Sequence, residues 1–206
     1  MTTLQFYFDF ISPYAYLASE RIEALALRNQ CQVVWRPILL SALLTHNQQR
    51  GPAEIPDKRR YTFKNLLRLC HDEKLPLQPP PDHPFNSLLP LRVSCLRPQA
   101  GLIQHLFRAC WKDGRPIDSS DALKDLIDED TLKQATSPEA KQMLKDNTQQ
   151  ALDAGVFGVP TVVVGGEVFW GFDSFPHLER YLQGQDPVDS SLVERWDRLP
   201  ASASRL

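Results

Sequence analysis

The sequence predicts an α/β fold in which a small mixed sheet is interrupted by a helical insertion. Two observations predict it. Strand-like stretches occur only near the two ends of the chain, up to Pro37 and again from Thr161. Between them lie roughly a hundred residues whose apolar positions recur mainly at helical spacing.

The first strand is Leu4-Gln5-Phe6-Tyr7-Phe8, aromatic and apolar enough for a core position. Leu17, Ala18, Ile22, Leu25 and Ala26 then recur as on one helix face, predicting a single helix from Pro13 to about Asn29-Gln30. Ser12-Pro13 marks its start, because Ser is a preferred N-cap and Pro suits the first helical position. Gln32–Pro37 reads as the second strand, parallel to the first across the crossover helix and ended by Pro37.

Helices follow over Leu40–His46, from Asp57 to Lys74, from a cap at Asn86 or Ser87 to about Leu96, from Gly101 to Lys112, and from Ser120 to Asp128. The proline-dense connection Pro76–Pro84 is neither helix nor inner strand. Ser137-Pro138-Glu139 repeats the cap-then-proline start for a helix reaching Gly155. Thr161–Val164 and Glu167–Trp170 flank Gly165-Gly166, a two-residue hairpin signal. Asp173-Ser174 starts a last helix with Phe175, Leu178, Tyr181 and Leu182 inward; beyond Gly184 the tail is polar, and its last several residues are expected to be loose.

The order β-α-β, helical block, α-β-β-α is that of a thioredoxin-like fold interrupted by a helical insertion domain. The expected division is 1–40 and 146–206 for the two parts of the thioredoxin-like domain and 41–145 for the insertion. In such a fold the first strand-to-helix turn and the segment before the hairpin face each other. Here they are Ser12-Pro13-Tyr14-Ala15 and Val159-Pro160. The cap role explains Ser12 completely, and the same geometry also allows a hydroxyl that donates to a thiolate or oxyanion at a helix N-terminus. Pro160 is tolerated as the first residue of a strand; a cis Val159–Pro160 bond would instead free backbone groups of Val159 to pair with a bound peptide. With no sulfur at the turn, a dithiol oxidoreductase is nearly excluded, and any thiol chemistry must use a borrowed thiol.

Composition bounds the function. The chain has 206 residues, 42% hydrophobic and 23% charged, with net charge −2. This describes an ordinary globular protein with no nucleic-acid footprint. No signal peptide or membrane span is predicted, so cytoplasmic residence is expected. Cys31, Cys70, Cys95 and Cys110 form no Cys-x-x-Cys or zinc pattern, and the five histidines form no His-x-x-x-His pair, so no metal site is expected.

These motifs resemble the 2-hydroxychromene-2-carboxylate isomerase family, which groups with kappa-class glutathione transferases and disulfide-bond-forming A proteins. The resemblance runs through Phe8-Asp9-Phe10-Ile11-Ser12-Pro13-Tyr14, Trp35-Arg36-Pro37 and Pro56–Tyr61. It continues in Pro84-Phe85-Asn86-Ser87 with Leu91-Arg92, Gly155–Thr161, and Phe169–Asp173. It implies a glutathione-dependent enzyme. Ser12 would hold the glutathione sulfur as thiolate, and Val159, beside Pro160, would pair with the cysteinyl backbone. Trp170, Gly171, Phe172 and Asp173 would hold the γ-glutamyl end, with Asp173 facing its ammonium group. Lys58, Asn86 and Arg92 would face a small aromatic carboxylate substrate. The family reaction is cis-trans isomerisation by reversible addition of the thiolate, and the family is dimeric, which implies a homodimer. The chain departs from the family pattern at Gln49 (Asn expected), Phe172 (often polar) and Ser174 (Arg expected). The other functions open at this stage are kappa-like transfer or peroxidase chemistry on another electrophile, and a non-catalytic peptide-binding module.

Overall fold

The computed structural model describes residues 1–200. A four-stranded sheet forms in the order β2-β1-β3-β4, from β1 (Thr2–Phe8), β2 (Cys31–Pro37), β3 (Thr161–Val164) and β4 (Glu167–Trp170). β2 runs parallel to β1, while β3 is antiparallel to both β1 and β4. Alternation along β1 divides its side chains between the two faces. Leu4, Phe6 and Phe8 enter one apolar cluster and Tyr7 another, with Ile38, Leu43, Val156 and Val159. The hairpin is closed by Gly165 and Gly166, at φ of 61° and 87°, the left-handed pair that a two-residue turn of this hand requires.

The helical block comprises α3 (Leu40–His46), α4 (Pro56–Asp72), α5 (Leu88–Leu96), α6 (Ala100–Trp111), α7 (Ser120–Leu123), α8 (Glu129–Gln134) and α9 (Pro138–Asp153). It shares one core with the sheet. Phe8 meets Phe10 edge-on at 5.4 Å, Phe10 meets Phe107 of α6 at 4.6 Å, and the cluster continues through Trp111, Ile117 and Leu123. Aromatic contacts of this kind add to the burial of each ring.

Three expectations are corrected, and one element was not expected. The first helix is two helices, α1 (Pro13–Ser19) and α2 (Ile22–Arg28), because side chains take over its backbone partners. Ser19 Oγ donates back to Tyr16 O at 2.7 Å, Gln104 Nε2 donates to Ser19 O at 2.7 Å, and Arg108 forms a two-point ion pair with Glu20. The helix expected from Ser120 to Asp128 stops at Leu123, since Asp128 caps a separate helix, α8, by accepting from Thr131 N at 2.8 Å. The last core helix is α10 (Phe175–Leu182), preceded by a 3-10 turn over Phe172–Ser174 rather than beginning at Asp173. The tail carries a further helix, α11 (Ser190–Asp197), capped by Asp189 and exposed along its length. The final residues expected to be loose, 201–206, lie outside the described residues. No helix of the described residues is long and apolar enough to cross a membrane.

Candidate functional site

β1 ends at Phe8, and the chain reaches α1 through Asp9-Phe10-Ile11-Ser12. Ser12 is the N-cap of α1, in extended conformation, and its Oγ accepts from Ala15 N at 3.2 Å. The same hydroxyl donates to the carbonyl of Val159 at 3.4 Å, across 147 residues of sequence. It is a long bond, and one easily exchanged for a better acceptor at this spot. Ser12 is 7% exposed and Val159 9%. The Val159–Pro160 bond is cis, and Pro160 directly precedes β3.

Pro160 links this segment to the third part of the site. Its carbonyl accepts from Gly171 N at 2.9 Å. Gly171 has φ of 89°, a conformation open to glycine, and a Cβ there would collide with the Asp173 carboxylate. Ser174 Oγ donates to Gly171 O at 2.7 Å, so the residue found where the family pattern has Arg closes this turn instead. Asp173 is exposed, and its carboxylate has no hydrogen-bond or ion-pair partner among the described residues. Phe172 packs against Phe175 at 5.4 Å and against the cluster of Leu17, Leu66 and Cys70, which anchors the 3-10 turn beside α1. Trp170, 54% exposed, lies over Gly158, where any Cβ would strike the indole nitrogen, and tilts against Phe157 at 5.2 Å. The fold therefore gathers Ser12, Val159, Pro160 and Gly171 into one chain of backbone and side-chain contacts, with Asp173 two residues beyond Gly171 in the same turn.

The three residues predicted to face a carboxylate are placed differently from one another. Lys58 is exposed in the first turn of α4 with no ion-pair partner among the described residues. Asn86 Oδ1 accepts from Leu88 N at 3.0 Å, so Asn86 caps the start of α5, while Ser87 makes no cap bond. Arg92 is half-buried on α5, and its Nε is fully covered without a hydrogen-bond partner. A guanidinium brought into a partly dry setting without an acceptor is suited to receiving an anion. Gln49 is exposed just after α3.

Two residues of the site region escaped the sequence reading. Asp9 is 1% exposed, and its carboxylate accepts from Ile11 N at 3.1 Å and Leu40 N at 2.9 Å, with the Ser87 hydroxyl facing it. Burial pushes its pKa above the usual carboxylate value, against those donors. A lone acid between Phe8 and Phe10 was the available signal. Phe157 offered none, since an exposed aromatic in a loop has no periodicity to betray it.

The chain brings no reactive sulfur of its own. All four cysteines are free, and burial pushes the Cys70 thiol up to about 11 and the Cys95 thiol to about 12, with Cys110 raised also. Such thiols stay protonated near neutrality.

A strand-turn-helix with a buried hydroxyl facing a cis-proline segment defines a thioredoxin-class site. The chain belongs to the DSBA-like thioredoxin domain family, whose model matches residues 3–183. Among its relatives, the 2-hydroxychromene-2-carboxylate isomerase of Sphingobium xenophagum is 29% identical over 190 residues, which cover 87% of this chain and 97% of the relative. Glutathione S-transferase kappa 2 of Caenorhabditis elegans is 28% identical over 205 residues, covering 87% and 91%. A solved 2-hydroxychromene-2-carboxylate isomerase superposes with a TM-score of 0.77 at 25% identity, covering 97% of this chain and all of the other.

Proposed function

We propose that the protein is a glutathione-dependent isomerase acting on a small aromatic carboxylate of the 2-hydroxychromene-2-carboxylate type. The observation that carries this reading is the Ser12 hydroxyl, held at 3.4 Å from Val159 O in a site whose chain offers no thiolate. The names of the relatives support the isomerase class, and the kappa transferase relative supports glutathione as the thiol source.

Glutathione, when bound, supplies the nucleophilic thiol. The residues present fit it. Ser12 donates to the sulfur, turning its Oγ–H from the weak Val159 acceptor to a charged one, and so favours the thiolate. α1 has only two turns, and the local N–H groups of its first turn reinforce the hydroxyl. Val159 presents its backbone beside the cis bond to the cysteinyl unit, Trp170 and Phe172 border the γ-glutamyl end, and Asp173 pairs with the ammonium group there. Arg92 takes the substrate carboxylate, while Asn86 shapes the start of α5 and Lys58 adds at most a solvated charge.

Asp173 is exposed, so its contribution is modest. Asp173→Asn is expected to weaken glutathione binding about fivefold to tenfold, the value of one partly screened charge-assisted contact, with kcat little changed at saturating glutathione. Titration calorimetry and saturation kinetics read the two separately. The reading as a whole is tested by glutathione calorimetry followed by isomerisation of 2-hydroxychromene-2-carboxylate. Turnover that requires glutathione supports it. Binding without isomerisation redirects the same thiolate to transfer chemistry, and no binding at millimolar glutathione overturns the enzyme assignment.

A further inference from the structure

The three residues ahead of Ser12 are gripped by side chains that lie outside the ligand contacts described above. Trp111 Nε1 donates to Phe10 O at 2.8 Å from the end of α6, and His83 Nε2 bonds to Ile11 O at 2.9 Å from the proline-rich connection. The Asp9 carboxylate takes Ile11 N and the first N–H of α3. Among these, the His83 contact is the one that reaches Ser12 directly. Ile11 O belongs to the same peptide unit as Ser12 N, which itself donates to Asp9 O at 3.1 Å. That peptide plane is thus held at both edges. Its orientation sets φ of Ser12, and with it the direction of Oγ toward Val159.

The imidazole has little else to do. A carbonyl can only accept, so the ring proton sits on Nε2 and Nδ1 is left as an acceptor. Nδ1 is buried without a partner among the described residues. The rings of Phe63, Trp111 and Phe85 surround it, with centroids at 5.3, 5.5 and 6.5 Å. A hydrocarbon ring would fill this aromatic box without leaving a bare nitrogen in it. What the imidazole adds is one directional bond to Ile11 O. Burial, helped by the Arg59 guanidinium that donates to the His83 carbonyl, keeps its pKa below that of an ordinary histidine, although the Ile11 bond pulls the other way.

We propose that His83 is a positioning residue for Ser12: it fixes the Ile11–Ser12 peptide plane and so keeps the Ser12 hydroxyl aimed at the place where the sulfur binds. The proposal rests on the reading of Ser12 given above. His83→Phe fills the box and removes only the donor, while His83→Gln carries an amide donor that can reach the same carbonyl. If the phenylalanine prevents folding, His83→Leu takes its place.

Two measurements test the proposal. In the free protein, amide exchange at Ser12 is expected to quicken about tenfold in His83→Phe, the effect of one lost hydrogen bond, and to stay near wild type in His83→Gln. In the glutathione-bound protein, thiolate absorbance titrated against pH is expected to give a bound-thiol pKa about one unit higher in His83→Phe, a tenfold loss of thiolate. Glutathione affinity measured below the bound-thiol pKa should hardly move, since linkage carries the shift into affinity only above it, and Gln should restore the wild-type pKa. Unchanged Ser12 exchange in His83→Phe overturns the proposal. So does a wild-type bound-thiol pKa in His83→Phe where Ser12→Ala raises it. A bound thiol indifferent to Ser12→Ala overturns the reading of Ser12 itself, and the proposal falls with it whatever the exchange data show.

Discussion

Ser12→Ala is expected to lower kcat/KM for glutathione-dependent isomerisation about a hundredfold to a thousandfold, the effect seen when one donor to a developing anion is removed. The same substitution also removes an N-cap, since Ser12 Oγ accepts from Ala15 N. Loss of a cap costs about 1 kcal/mol, small against a stability of roughly 5–15 kcal/mol, so the variant should fold and the loss of rate should not come from unfolding. Ser12→Asp separates the two roles. Its carboxylate caps α1 as well as serine does, but it accepts rather than donates and sets a negative charge where the thiolate would lie. Activity at least as low as in Ser12→Ala is the expected outcome, with stability lowered by a nearly buried carboxylate facing Val159 O, read by denaturant titration beside steady-state kinetics. An active Ser12→Asp enzyme would reduce Ser12 to a cap.

Arg92→Leu is expected to raise KM for the carboxylate substrate about tenfold to a hundredfold, the range for one hydrogen-bonded charge pair in a half-buried setting. Leucine replaces the stem and removes an orphaned buried Nε, so the fold should be unharmed or slightly steadier. Lys58→Ala is the internal comparison. Lys58 is exposed, and its loss should shift KM by less than about threefold. The contrast follows from burial, because a guanidinium stripped of water on one side has more to gain from an anion than an ammonium in bulk solvent. If both variants leave KM alone, the carboxylate is held elsewhere.

Much of the fold was legible in the chain because its signals are local. Ser137 ahead of Pro138 marked the start of α9, and its hydroxyl accepts from Ala140 N at 3.2 Å. Gly165-Gly166 marked the hairpin, and the apolar run of β1 marked the central strand. One failure lies where side chains from a distant element act on the middle of a helix. Gln104 and Arg108 of α6 act on Ser19 and Glu20, and no periodicity within residues 13–30 reports that. α11 was missed for the opposite reason, as it rests on a cap with no core to face.

The site divides the same way. Ser12 could be named because helix caps have residue preferences written locally, whereas Asp173 was named through the family resemblance. Arg92 was named alongside Lys58 and Asn86 through the family resemblance, which does not distinguish a covered side chain from an exposed one. By itself the sequence determined the order of the strands and of the longer helices, the hydroxyl in place of a thiol at the first turn, and the lack of a reactive cysteine pattern. Tertiary structure alone decided that the Ser12 hydroxyl bonds the Val159 carbonyl, that Arg92 is covered while Lys58 is not, and that His83 reaches Ile11. Periodicity and capping are interactions among neighbours a few residues apart, whereas burial and the pairing of distant polar groups exist only once the helical insertion has packed against the sheet.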